Sequence, residues 1–201
     1  MKSKIPIGLI YSRLGIGLII IVFSIFQIDN YKFIAITFLT VGLFTDIFDG
    51  IIARRLKVST QKLRRLDSAI DQLFFMSFAV ATYIQCPDFF KSNSTKLIIL
   101  LGLEGLTYLI CFLKFKKEIA THTIGAKIWT LFLFSTLIEI ITHCQSFALL
   151  NFCFWVGIIT RLEIIAIILT LRAWTNDVPT FYHSLQLRQG KEIKRHKLFN
   201  G

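Results

Sequence analysis

Four carboxylates stand where carboxylates are expensive. Asp46 and Asp49 lie in the run Thr45-Asp46-Ile47-Phe48-Asp49-Gly50-Ile51-Ile52-Ala53-Arg54, and Asp67 and Asp71 in Leu66-Asp67-Ser68-Ala69-Ile70-Asp71-Gln72. Both runs flank or enter long apolar stretches, where a charged side chain costs several kcal/mol and by default marks a function. On a helix, Asp46, Asp49 and Gly50 share a face at i, i+3, i+4, and Ala53 extends it by a turn. Asp67 and Asp71 share a face at i, i+4. Two such faces, meeting, make an oxygen-rich pocket suited to hard divalent cations. The chemistry this implies is a metal-dependent reaction of the phosphoryl type at a membrane surface. One such acid alone could be a helix cap or a packing partner; four at these spacings point to a site.

The elements that must position them are membrane helices. The chain of 201 residues is 54% hydrophobic, with a mean hydropathy of +0.64. A membrane helix needs about 20 mainly apolar residues, and six stretches qualify: 7–27, 32–53, 68–85, 95–114, 125–142 and 147–171. The expectation is an all-α integral membrane protein with six transmembrane helices, residues 1–174 forming one membrane domain. Residues 175–201 form a basic cytoplasmic tail, interrupted by Pro179 and Gly190, lying along the membrane surface. The first stretch follows Lys2 and Lys4 but is longer than a signal-peptide core, contains Arg13 and shows no small-residue cleavage site before Gln27, so it reads as a retained helix. The polar, basic segment from Arg54 to Leu66 links the two aspartate-bearing helices, and Cys86–Ser94 carries turn chemistry with an interfacial aromatic pair.

The net charge of +11 is distributed unevenly. With the N-terminus inside, the inner loops and tails hold 18 Lys and Arg residues, against Lys32, Lys91 and Lys96 outside. That asymmetry places both termini in the cytoplasm of a cell whose inner membrane holds the protein, and the aspartates at the cytoplasmic face. A basic belt of this kind attracts anionic lipid headgroups. No base-reading or stacking module accompanies the charge, so nucleic acid is not an expected partner.

Read with their neighbours, the aspartates give D-x-x-D-G-x-x-A-R, eight residues, one further position, then x-x-x-D-x-x-x-D. This resembles the signature of the CDP-alcohol phosphatidyltransferase family. Asp46, Asp49, Gly50, Ala53, Arg54, Asp67 and Asp71 match it in type and spacing, and Leu63 stands where the pattern has its second glycine. Weaker likeness lies in Lys4-Ile5-Pro6, in Ser12-Arg13-Leu14 and in Gly125-Ala126-Lys127-Ile128-Trp129-Thr130. The resemblance implies transfer of a phosphatidyl group from a CDP-lipid such as CDP-diacylglycerol to a polar alcohol, releasing CMP. It implies a pair of Mg²⁺ or Mn²⁺ ions held by Asp46, Asp49 and Asp67 with Asp71 completing the site, and Asp71 as the base for the acceptor hydroxyl. Asp46 and Asp49 also belong to the CDP-donor site on this likeness. Gly50 and Ala53 would let the nucleotide approach the helix, Arg54 would contact the donor, and Leu63 would crowd it. A homodimer is usual in the family. The chain's small size favours glycerol 3-phosphate as acceptor; inositol, its phosphate, serine, or a small CDP-alcohol with a lipid acceptor are the related alternatives. A catalytically silent scaffold or a carrier is the reading from a different class.

Three cations, Arg13, Lys127 and Arg161, are candidates for holding an acceptor's phosphate, or else belong to ion pairs with Glu104 or Glu139. His122, His143, His183 and His196 lack ligand spacing and read as surface residues. Cys86, Cys111, Cys144 and Cys153 also lack ligand spacing and read as small apolar packing residues. Cys86 and Cys144 fall near the outer face, which leaves a disulfide open. Gly15, Gly17, Gly102 and Gly105 are expected to serve close helix packing.

Overall fold

The computed structural model describes residues 4–56, 58, 60–117, 119, 121 and 123–193, with Lys4 and Arg54 described in their backbone alone. Every element among them is a helix: α1 Lys4–Ile25, α2 Tyr31–Arg55, α3 Gln61–Gln85, α4 Pro87–Ser92, α5 Ser94–Phe115, α6 Ile124–His143, α7 Ala148–Thr170 and α8 Phe181–Arg188. Five of them, α1, α2, α5, α6 and α7, are long and apolar enough to cross a membrane. The sixth expected span is α3, which has the length but opens with Lys62, Arg64, Arg65, Asp67 and Asp71. Its first three turns are therefore written for water and headgroups, its last four for an apolar setting.

The helix boundaries follow local chemistry. Thr60 caps α3, its hydroxyl accepting the backbone N–H of Leu63 at 3.2 Å, so α3 begins several residues before the apolar run does. The segment expected as a turn after Cys86 is instead the short helix α4. Pro87 opens it where no N–H is needed, Asp88 stands in the first turn and Lys91 in the last. Part of the expected tail is ordered too. Val178 is fully buried beside Ile167 and Leu171, Pro179 accepts a hydrogen bond from the Ile124 N–H at 3.0 Å, and Glu163 accepts one from the Phe181 N–H at 3.2 Å, at the start of α8.

The chain divides into two compact units. One comprises residues 1–92 and 134–146, the other residues 93–133 and 147–201. In the first, α1 packs along both α2 and α3, which touch one another only briefly. Two glycines set these approaches. A Cβ on Gly17 would lie 3.0 Å from Ser77 Oγ, and one on Gly42 would lie 2.1 Å from the edge of the Phe74 ring. Phe74 is buried and packs on Phe78 with ring centres 4.8 Å apart. Gly15, Gly102 and Gly105, expected to mark close packing, meet nothing within 4 Å; Gly42 and Gly157 carry that role instead. A glycine's spacing does not reveal which face of its helix is covered.

The cysteines correct a second expectation. Cys86 and Cys144 are joined by a disulfide, at the C-terminal ends of α3 and α6 within the first unit. Cys111 and Cys153 take part in no disulfide among the described residues and are buried, as small packing residues should be. Alkylation without reduction is expected to modify only Cys111 and Cys153 in the denatured protein, and all four thiols after reduction. Four modified cysteines without reduction would refute the bridge.

In the second unit α5 packs against α7, and α7 carries α8. Cys111, Ile164 and Ile168 form its core, with Phe115, Ala126 and Trp174 against them. Lys114 of α5 donates to the carbonyls of Ile168 and Leu169 at 2.9 and 2.7 Å, satisfying two of the carbonyls that the end of α7 leaves open.

Candidate active site

Helix periodicity brings the carboxylates together. Asp46 and Asp49 project from one face of α2, Asp67 and Asp71 from one face of α3, and α1 supplies the group between them. Arg13 is fully buried. Its Nη1 donates to Asp46 Oδ1 at 2.9 Å and pairs with Asp71. Its Nη2 donates to Asp67 Oδ1 at 2.5 Å and pairs with Asp49. Each amino nitrogen of the fork thus joins one acid of α2 to one acid of α3. The planar guanidinium, with its fixed donors, suits this better than an ammonium would.

Burial is graded across the site. Asp49 is 2% exposed, the Asp67 and Asp71 side chains are 21% and 29% exposed, and that of Asp46 is 37% exposed. The cluster is open on the Asp46 side and closed behind Asp49. Four carboxylates against one guanidinium leave a formal excess of three negative charges. Such an excess is costly to hold together away from water unless further cations offset it. Among the described residues Arg13 Nε is buried with no hydrogen-bond partner, a cost of about 1–3 kcal/mol for an unmet donor.

The donor set fits a divalent metal. Asp46, Asp49 and Asp67 each offer a carboxylate oxygen within 4.8 Å of the other two. All are hard oxygen ligands, the kind that Mg²⁺ and Mn²⁺ take and that softer metals do not require. Among the described residues no histidine or cysteine joins them.

Residues 4–171 match the CDP-alcohol phosphatidyltransferase family. The chain belongs to that family. As a CDP-alcohol phosphatidyltransferase it is a membrane transferase of substituted phosphate groups, moving a phosphatidyl group between a CDP-alcohol and an alcohol acceptor. The family uses divalent metals, and the aspartate trio is where this member has the oxygens for one. No curated protein and no solved structure matches the chain.

The remaining expected site residues of this phosphatidyltransferase divide between the two units. Ala53 is buried and Gly50 half-buried, on the α2 face that also carries the acids. The Arg54 side chain lies outside the described residues. Leu63 occupies the first turn of α3, half-buried, its backbone tied to the Thr60 cap. Arg13 meets all four acids. In the second unit, Arg161 pairs through Nε with Glu104, and its guanidinium carbon lies 4.1 Å from the centre of the Trp129 ring. Glu139, the other acid considered for such a pair, accepts the Ser146 hydroxyl at 2.5 Å instead. Lys127 is exposed in the first turn of α6. Sequence reasoning placed Arg13 among the candidate phosphate binders; that its fork spans both acid pairs depends on contacts 33 to 58 residues apart, which no local pattern encodes.

Proposed function

We propose that the protein transfers the phosphatidyl group of CDP-diacylglycerol to glycerol 3-phosphate, releasing CMP, with Asp46, Asp49, Asp67 and Asp71 at the reaction centre. The observation that carries this reading is the convergence of the four carboxylates from α2 and α3 on one point. Asp46, Asp49 and Asp67 would hold Mg²⁺ or Mn²⁺, as one ion or a pair, and Asp71 would complete the site. The bound cation supplies charge neutralisation for the donor diphosphate and for the leaving CMP. The acceptor oxygen forms its bond to the lipid-side phosphorus while the bond from that phosphorus to the CMP oxygen breaks. Asp71 takes the acceptor's hydroxyl proton.

Gly50 and Ala53 keep the α2 face low, so that the nucleotide lies against the helix rather than above it. Arg54 follows on the same segment as a donor contact. Leu63 replaces a position of the pattern where only hydrogen is expected and narrows that approach from the α3 side. Lys62, Arg64 and Arg65 precede Asp67 in the first turn of α3, so cationic side chains flank the acids along the chain. That favours polyanionic substrates, a phosphate-bearing acceptor among them. Lys127 is the further candidate for the acceptor phosphate. The test is purified protein in lipid with CDP-diacylglycerol, Mg²⁺ or Mn²⁺, and glycerol 3-phosphate, inositol, inositol phosphate and serine in parallel. Phosphatidylglycerophosphate identified by mass spectrometry is the expected product. A phospholipid formed only from another alcohol would overturn the acceptor, and no CMP release with any of them would overturn the reaction.

The reaction centre is proposed to face the cytoplasm, on the strength of the charge asymmetry. The disulfide supports this, since Cys86 ends α3 at the pole remote from Asp67 and bridges form in oxidising compartments. A membrane-impermeant thiol reagent applied to intact cells is expected to label Asn30→Cys and Ser92→Cys but not Gln61→Cys. Labelling at position 61 from outside would invert the orientation.

A further inference from the structure

We propose that Arg13 is a built-in counter-cation that competes with the divalent metal for the same carboxylates, so that loading the site requires the fork to leave at least one of its bridges. This rests on the reading that the aspartates hold a metal, and it concerns what the chain itself puts there. The oxygens that could ligate a metal belong to Asp46, Asp49 and Asp67, and Arg13 donates to all three of those residues and pairs with Asp71 as well. Hydrogen bonds from a guanidinium occupy carboxylate lone pairs that a hard cation needs at shorter range. Two positive charges on one set of oxygens also repel, and burial of Arg13 keeps water from screening that repulsion.

The arrangement explains how four acids can be brought to one place as the helices pack. Arg13 offsets part of their mutual repulsion and, through its two bridging nitrogens, sets the spacing between the acid faces of α2 and α3. It does so with a guanidinium that is not fully satisfied, because Nε has no partner among the described residues. A group that uses every donor would be harder to displace. Arg13 is therefore a positioning residue: it holds the ligand set together and gives way to the ion the set is built for.

The test measures Mn²⁺ binding directly, by the electron paramagnetic resonance signal of free Mn²⁺, on the full chain in nanodiscs without CDP-lipid. Wild type is compared with Arg13→Gln, which removes the charge, and with Arg13→Lys, which keeps a charge but loses the fork. Arg13→Gln is expected to lower the Mn²⁺ Kd about tenfold or more, and Arg13→Lys to give a value between the two. In chelator Arg13→Gln is expected to melt below wild type, and to gain more in Tm on adding Mn²⁺. A purely structural arginine would lower Tm without tightening Mn²⁺ binding. If Arg13→Gln does not fold, Arg13→Lys decides, and a Kd equal to or above that of wild type overturns the proposal. Mn²⁺ binding by wild type with no tightening in either variant overturns the competition alone. No Mn²⁺ binding by any of the three overturns the metal reading and this inference with it.

Discussion

Asp49→Asn is expected to reduce CMP release by roughly a hundredfold to a thousandfold or more, the range seen when one preorganised charge-stabilising group is removed from an active site. Asp49 is the most buried of the four acids, at 2% exposure, so no water can take over its share of a cation's coordination. Asparagine has nearly the same shape, keeps an oxygen, and loses the charge. The packing of α2 should survive, because one carboxylate fewer also relieves repulsion from Asp46 and Asp67. The decisive comparison is therefore activity against melting temperature in the same preparation. A folded Asp49→Asn protein with near-normal turnover would remove the aspartates from the mechanism. The same logic applies to the metal itself. Chelator should silence the wild type and Mg²⁺ or Mn²⁺ restore it, while Zn²⁺, which prefers nitrogen and sulfur ligands absent from the trio, should restore it poorly.

Glu104→Ala is expected to destabilise the second unit by up to about 3–5 kcal/mol, the cost of stranding one member of a buried pair. Arg161 is 7% exposed, and Glu104 is its ionic partner. The Trp129 ring beside the guanidinium recovers a part, about 0.5–2 kcal/mol for a desolvated cation–π contact. Trp129 is itself held in place, its indole N–H donating to the Cys153 carbonyl at 3.1 Å. Glu104→Leu combined with Arg161→Met should recover most of the loss, because an apolar pair of similar volume carries no desolvation cost. Thermal unfolding of the single and double variants in detergent checks both statements. A stable Glu104→Ala protein with impaired use of a phosphate-bearing acceptor would instead free Arg161 for the substrate.

The residues legible in the sequence were those whose meaning is local. Asp46 and Asp49, and Asp67 and Asp71, share helix faces by spacing alone, so the acid cluster could be read before any fold was known. The long apolar stretches fell within a few residues of α1, α2, α5, α6 and α7 for the same reason. What escaped depended on partners far along the chain. Arg13 was visible as a misplaced cation, but its position between two acid pairs follows from α1 lying against both α2 and α3. The Cys86–Cys144 bridge spans 58 residues, and no spacing rule favours it over packing. Gly42 looked like any other glycine in an apolar run until the Phe74 ring was found against it. The start of α3 was missed for a subtler reason. Thr60 is a good N-cap, but the position three residues on is Leu63 rather than the Glu or Gln that completes a capping box, so half of the signal was lacking.

The placement of Arg13 and the acids also fixes an order of events during synthesis. Arg13 and the four acids that it meets lie between residues 13 and 71, on the first three long helices to leave the ribosome. Once α3 has been translated, α5, α6 and α7 are still to follow, yet the fork and its four carboxylates already have one another as partners. They can enter the bilayer as a partly compensated, ion-paired set rather than as isolated charges. The disulfide cannot close at that stage, because Cys144 is not made until α6 is complete. It follows assembly of the acid cluster as a late lock, and a ribosome stalled before residue 144 would hold that cluster already gathered and the bridge still open.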